Sequence, residues 1–402
     1  MLKTRPVSEV THIIADRFGT CRMETETVPL ENALGRVLAE DILASAFIPN
    51  FNRATVDGYA VQVNDIRDCS EKTPVILNLV GHSHMGAQTT FSITRGECAY
   101  VPTGGEVPDG TQVMVMIEDT REVAGDRITF YKPYAAGLNL IFRGEDTQPG
   151  DRVIPAGKRL KIADTGTLAA MGIMEVPVRQ RPRVAIISTG DEIVPAAQPI
   201  SGGLIRDVNA PMLRNAVQVN GGCSRFHGIV KDNLASIKAA VLVALPEADM
   251  LLISGGTSMD TRDAVTAVIA DLGEVYVHGI TVKPGKPTIF GTIQDKPVFG
   301  LPGNPVSAYF TFQLFVRPLL HSLQGTHPVD RQITLPLARD VVTNHGREEC
   351  VPVIIADGLA HPVASKSGLI TTVSCADGYF RIPRDLPGRK KGDFVEITFL
   401  DC

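Results

Sequence analysis

The chain has 402 residues, 44% of them hydrophobic and 21% charged, a balance that suits a folded protein of roughly two to four domains and excludes a disordered one. A net charge of −5, no tryptophan and 5% aromatic residues exclude a basic, base-stacking surface for nucleic acid. No run approaches the roughly 18 apolar residues of a membrane span, so neither nucleic acid nor membrane is expected as a partner.

The seven cysteines (Cys21, Cys69, Cys98, Cys223, Cys350, Cys375, Cys402) are scattered without a C-x-x-C pair. That spacing argues against a disulfide framework or a structural zinc site and for a reducing compartment. The opening Met1-Leu-Lys-Thr-Arg-Pro lacks the apolar core of a signal peptide, so a cytoplasmic location is expected.

In chain order, Val10, Ile13, Ile14 and Phe18 predict a helix capped by Ser8, and a second helix is expected over Leu30 to Leu38. Ile48-Pro-Asn-Phe-Asn-Arg-Ala-Thr-Val-Asp57-Gly-Tyr-Ala follows, and on its own Asp57 reads as a turn aspartate satisfying its own backbone. From Pro74 to Phe130 alternating apolar residues broken by glycines predict a β-rich insertion that contains Pro102-Thr103-Gly-Gly-Glu-Val-Pro-Asp-Gly. His82 and His84 have no third ligand nearby and read as surface residues. Arg143-Gly-Glu-Asp146 is a charged turn, and Leu160 to Met171 is helical in pattern.

At Arg183-Val-Ala-Ile-Ile an uninterrupted apolar run predicts a parallel strand covered on both faces. Its end delivers Ser188-Thr189-Gly190-Asp191-Glu192, and two adjacent acids at a strand end are hard oxygen ligands of the kind Mg²⁺ takes. Asp207-Val-Asn209 precedes a helix that Asn209 is expected to cap, and Asp232 follows a further strand.

Met250-Leu-Leu-Ile253 then runs into Ser254-Gly255-Gly256-Thr257-Ser258 and on to Asp263, the sequence form of a phosphate-sized anion cradle. Lys283-Pro-Gly-Lys286-Pro holds two lysines between prolines, and Leu301-Pro302-Gly-Asn304-Pro305-Val-Ser307 stiffens the next turn. Ligands of open α/β sheets bind beyond the carboxyl ends of the strands, so one site built from all three loops is predicted. The remainder reads as short strands, with Gly346-Arg347 and Ser365-Lys-Ser367-Gly as its notable points.

The Gly-Gly-Thr-Ser loop lacks both the P-loop and the dinucleotide spacing. Together with KPGKP, LPGNP, RATVDGYA, PTGGEVPDG, RGED and STGDE, it resembles the molybdopterin molybdenumtransferases, the family of MoeA and the gephyrin E domain. The resemblance covers essentially the whole chain. It implies a multidomain α/β fold: a discontinuous scaffold over 1–48 and 140–180, a β-rich insertion over 49–139, a doubly wound molybdopterin-binding domain over 181–326 and a small C-terminal β-barrel over 327–402.

The implied activity is insertion of molybdate into adenylylated molybdopterin with release of AMP, assisted by Mg²⁺. Asp57, Thr103, Asp146, Glu192, Asp263, Lys283 and Lys286 would be catalytic, with Asp57, Asp191, Glu192 and Asp263 at the metal. Ser188, Thr189, Gly190, Asp207, Gly255, Gly256, Thr257, Ser258, Pro302, Asn304, Pro305, Ser307, Arg347 and Ser367 would bind the substrates, and Asp232 is a weaker candidate. A homodimer is implied, with the insertion of one subunit completing the site of the other, as are contacts with other proteins of molybdenum-cofactor biosynthesis. Asp260 departs from the small residue usual in the family and reads as a helix cap. The adenylyltransferase step just before and a gephyrin-like binding scaffold are the alternative functions.

Overall fold

The computed structural model describes residues 4–256, 263–343, 346–363 and 366–400. Its largest core surrounds a six-stranded sheet ordered Cys223–Val230, Arg183–Thr189, Met250–Ser254, Lys296–Leu301, Ile289–Ile293 and Gly273–His278. The first four strands are parallel, and the last two are antiparallel additions. Side chains of a strand alternate between faces, and here both faces are covered. Val184, Ile186, Met250 and Leu252 enter one core, whereas Ala185, Ile187, Leu251 and Ile253 enter the other. The uninterrupted apolar runs follow from this double burial. Helices Asn209–Val219, Pro305–Thr311 and Arg317–Leu323 cover the first face, and Leu234–Ala244 and Ala264–Leu272 cover the second.

The first helix, Val7–Phe18, buries Val7, Val10, Ile14 and Phe18 in the first of these cores, where Phe18 meets Phe290 edge-on with ring centroids 6.3 Å apart. It therefore packs on the α/β sheet and not with the scaffold, where the expected 1–48 segment placed it. Ser8 lies inside this helix, whose N-cap position is Pro6.

The helix expected over Leu30 to Leu38 is only the short 3₁₀ turn Leu30–Asn32. Gly35 takes φ +74°, which breaks the helical path, and Val37 and Leu38 are drawn into bridges with Arg159 and Val178. The scaffold itself pairs Thr25–Pro29 with Glu175–Arg179 and Ile42–Leu43 with Arg152–Ile154, around a core that includes Leu38, Ile154, Leu168 and Val176.

The insertion is a six-stranded sheet ordered Val113–Met116, Gly58–Val61, Glu97–Val101, Val75–His82, Arg127–Phe130 and Thr120–Val123. The C-terminal β domain has its own core of Leu337, Val351, Val353, Phe380, Ile382 and Ile397. Its edge is completed by Val282–Lys283 of the α/β domain, paired in parallel with the start of Glu348–Ala356. That junction sets two domains against one cavity. No described helix is long and apolar enough to cross a membrane.

Candidate functional site

A cavity of about 820 Å³ opens where the parallel strands end. Thr189, Gly255 and Pro302 mark the carboxyl ends of three adjacent strands, and residues of all three loops line it. Two glycines are required there by close approach. A Cβ on Gly255 (φ +97°) would stand 2.0 Å from the Thr189 carbonyl oxygen, and one on Gly256 (φ +63°) 2.8 Å from Asp232 Oδ1. Thr257 and Ser258, which continue this loop, and Asp260 lie outside the described residues.

Three buried polar atoms in the cavity wall have no partner among the described residues: Ser188 Oγ, Asp207 Oδ2 and Asn209 Oδ1. Their residues are 3%, 6% and 6% exposed, and groups so buried are normally hydrogen-bonded, so the wall is built to meet a polar ligand. Asn209 is not the helix cap expected from sequence. Asp207 Oδ1 accepts the Ala210 N–H at 3.0 Å, which leaves the Asn209 amide free to donate to Ser254 Oγ at 2.7 Å and Gly303 O at 2.9 Å. One side chain thus ties together the ends of two strands and the start of a helix.

The cavity is also lined by cations. Lys283, Lys286, Arg347 and Lys366 line the cavity together with Arg206, and among the described residues only Lys283 of these five has an acid partner, Glu349 at 2.8 Å. Ser367 is seated on the proline turn: Asn304 Nδ2 donates to its Oγ at 3.0 Å, and its carbonyl accepts from Val306 N at 3.1 Å. Cys350 also lines the cavity, but burial pushes its thiol up to about 12, so it is not a ready nucleophile.

Acids gather at one side. Glu192 and Asp232 are in the wall, and partial burial raises the Asp232 carboxyl above its ordinary range, aided by Asp191, Glu192 and Asp263 and opposed by the Thr189 hydroxyl. All-oxygen donors whose charges press on one another suit a hard divalent cation. Among the described residues no three metal-ligating side chains are gathered in a metal-holding arrangement. Asp263 is already committed: its Oδ1 accepts Thr266 N at 2.9 Å, and its Oδ2 meets Thr266 Oγ1 at 2.7 Å and His278 Nε2 at 2.8 Å. It caps the helix Ala264–Leu272, and neither it nor Asp191 lines the cavity.

Of the remaining predicted residues, Gly190, Pro305 and Ser307 line the cavity, whereas Asp57, Thr103 and Asp146 do not. Asp57 Oδ1 instead accepts Thr103 N at 2.7 Å and Thr103 Oγ1 at 3.1 Å on the insertion. Sequence reading missed Glu349, Lys366 and Arg206 in the wall.

These features define an α/β protein with an anion-receiving cavity at its strand ends. Family models agree: the MoeA N-terminal region (domains I and II) matches residues 5–172, a probable molybdopterin binding domain residues 185–322, and the MoeA C-terminal region (domain IV) residues 334–400. A Methanocaldococcus jannaschii relative whose name places it in molybdopterin biosynthesis is 36% identical over 94% of this chain and 92% of its own. The molybdopterin molybdenumtransferase of Bacillus subtilis is 31% identical over 94% of this chain and 90% of its own. The crystal structure of the molybdopterin biosynthesis MoeA protein from Pyrococcus horikoshii OT3 superposes with a TM-score of 0.87 at 32% identity, covering 99% of this chain and 100% of that one. The chain belongs to the MoeA family of molybdopterin molybdenumtransferases.

Proposed function

We propose that this enzyme inserts molybdate into adenylylated molybdopterin and releases AMP. The observation that carries the reading is the cavity itself, lined by cations without an acid partner and by buried polar atoms without a hydrogen-bond partner among the described residues. Lys286, Arg347 and the Ser367 hydroxyl bind and orient the oxyanion, with the flanking prolines limiting the drift of Lys286, and Lys283 adds to the same wall. Gly255 and Gly256 let the backbone approach the phosphate linkage, while Ser188, Asp207 and Asn209 supply the polar partners that fix the substrate's orientation. Water attacks the phosphoanhydride and frees AMP, and the two thiol sulfurs of the pterin bond molybdenum as one molybdate oxygen leaves as water with the two thiol protons.

Glu192 and Asp232, the carboxylates of the acidic side of the cavity, would offer oxygen donors to Mg²⁺, which when bound would supply charge neutralisation at the phosphoanhydride. Asp57, Thr103 and Asp146 stand apart from their own chain's cavity, which supports a homodimer in which they complete the partner's site. The test is AMP release from adenylylated molybdopterin, with and without molybdate and Mg²⁺, on wild type and Asp57→Ala. Release that needs both ions and fails in the variant is expected. No release under any condition from folded protein would overturn the reading.

A further inference from the structure

The cations of the cavity wall are not equivalent. Lys286, Arg347 and Lys366 have no acid partner among the described residues, whereas Lys283 Nζ lies 2.8 Å from Glu349 Oε1. The Glu349 side chain is 15% exposed and that of Lys283 is 41% exposed. Backbone pairing fixes the meeting: Val282 is in register with Glu348 and Lys283 with Glu349, across the junction of the α/β and C-terminal domains. The two successive glutamates point to opposite faces of their strand, Glu348 pairing with Arg381 and Glu349 with Lys283. A carboxylate in the wall of an anion cavity works against the ligand, so its placement calls for a reason beyond joining two domains.

We propose that Glu349 is a positioning residue of the oxyanion subsite that holds down its anion affinity, acting through Lys283. It draws the ammonium towards the C-terminal sheet and cancels its charge, so an incoming oxyanion meets Lys286, Arg347 and Lys366 without a further full cation. Affinity for any small dianion is thereby held down. This rests on the anion-binding reading of the site given above.

The test is calorimetric binding of molybdate alone and of sulfate alone to the full chain as wild type, Glu349→Gln, Lys283→Met and the double variant. Glu349→Gln is expected to bind both anions roughly tenfold more tightly, with a steeper loss of affinity as salt rises, because one screened charge has been released. The gain should vanish in the double variant. Unchanged or weaker binding by folded Glu349→Gln, or a gain that survives removal of Lys283, would overturn the proposal. A domain staple without this role would lower the melting temperature and leave anion affinity where it was.

Lysine side-chain NMR of the wild type, assigned with Lys283→Met and Lys286→Met, gives a check that needs no Glu349 variant. Molybdate is expected to shift the Lys286 Cε resonance and leave Lys283 in place. Equal shifts would overturn the proposal. Wild type that binds neither anion would overturn the anion reading itself, a different outcome from wild type that binds both with Glu349→Gln unchanged.

Discussion

Asn209 offers the sharpest test of how the site is held together, because its amide is an inward donor at a place 6% exposed to solvent. Replacing it with alanine removes the bonds to Ser254 Oγ and Gly303 O, worth about 1 kcal/mol each, and leaves acceptors short of a donor at roughly 1–3 kcal/mol. A net loss of about 2–4 kcal/mol is expected, which at roughly 2–4 °C per kcal/mol is a fall of about 5–15 °C in the melting of the α/β domain. Asn209→Asp keeps the shape but has no N–H to give, and it sets a buried carboxylate 2.9 Å from the Gly303 carbonyl oxygen. Its loss should exceed that of alanine, at roughly 3–5 kcal/mol, because a charge is left uncompensated. Lowering the pH should narrow the gap, since a protonated carboxyl regains one donor. Differential scanning calorimetry of the three proteins from pH 8 to 5 reads these differences. Asn209→Asp melting with the wild type at pH 8 would refute the assignment of the amide as the tie between the strand ends.

Gly255→Ala must both adopt φ +97° and meet the Thr189 carbonyl oxygen at 2.0 Å; a loss above about 2 kcal/mol and strongly reduced AMP release are expected by melting and turnover. His321, 8% exposed, is pushed down to about 4 by burial and then by Arg159 and Arg317. Its folded pKa lies below the unfolded one, so above about pH 6.5 it costs nothing, and stability falls as pH drops towards 4 because only the unfolded chain takes the proton. Relative to wild type, His321→Gln should recover up to roughly 3 kcal/mol across that window in urea titrations, and parallel pH profiles would contradict this. For Asp232, whose pKa is raised, ionisation costs the folded state, so Asp232→Asn should melt higher at pH 8 and lose that advantage as pH falls below the ordinary carboxylate range. The same variant should show a weakened Mg²⁺ dependence in the AMP assay.

The strand-end loops were legible in the sequence for a physical reason. A parallel strand buried on both faces, such as Val184–Ile187, leaves a run without polar interruption, and the first residues after it are the ligand-facing ones. Asp232 obeys the same rule after Cys223–Val230 and is in the cavity wall, although its motif was the least specific. What depends on contacts between distant segments was not legible. Nothing local to Val7–Phe18 says that its apolar face will meet Phe290 rather than the scaffold. Gly35 ended a plausible helix because Val37 and Leu38 found strand partners more than a hundred residues away. Asp263 carried a site motif, yet its oxygens are taken up by Thr266 and His278, the second of which comes from a neighbouring strand. Lys366 reaches the cavity only because the C-terminal domain docks there through Val282–Lys283.

The most direct test of the whole account is complementation between subunits. Asp57→Ala and Lys286→Ala chains, each inactive alone, would be co-expressed with different tags and the mixed dimer assayed for molybdate-dependent AMP release. Each mixed dimer has one intact site of two, so mixed dimer isolated through both tags should show roughly half of wild-type turnover. A mixed preparation no more active than either variant alone, although dimeric, would contradict a cavity completed by the partner's Asp57.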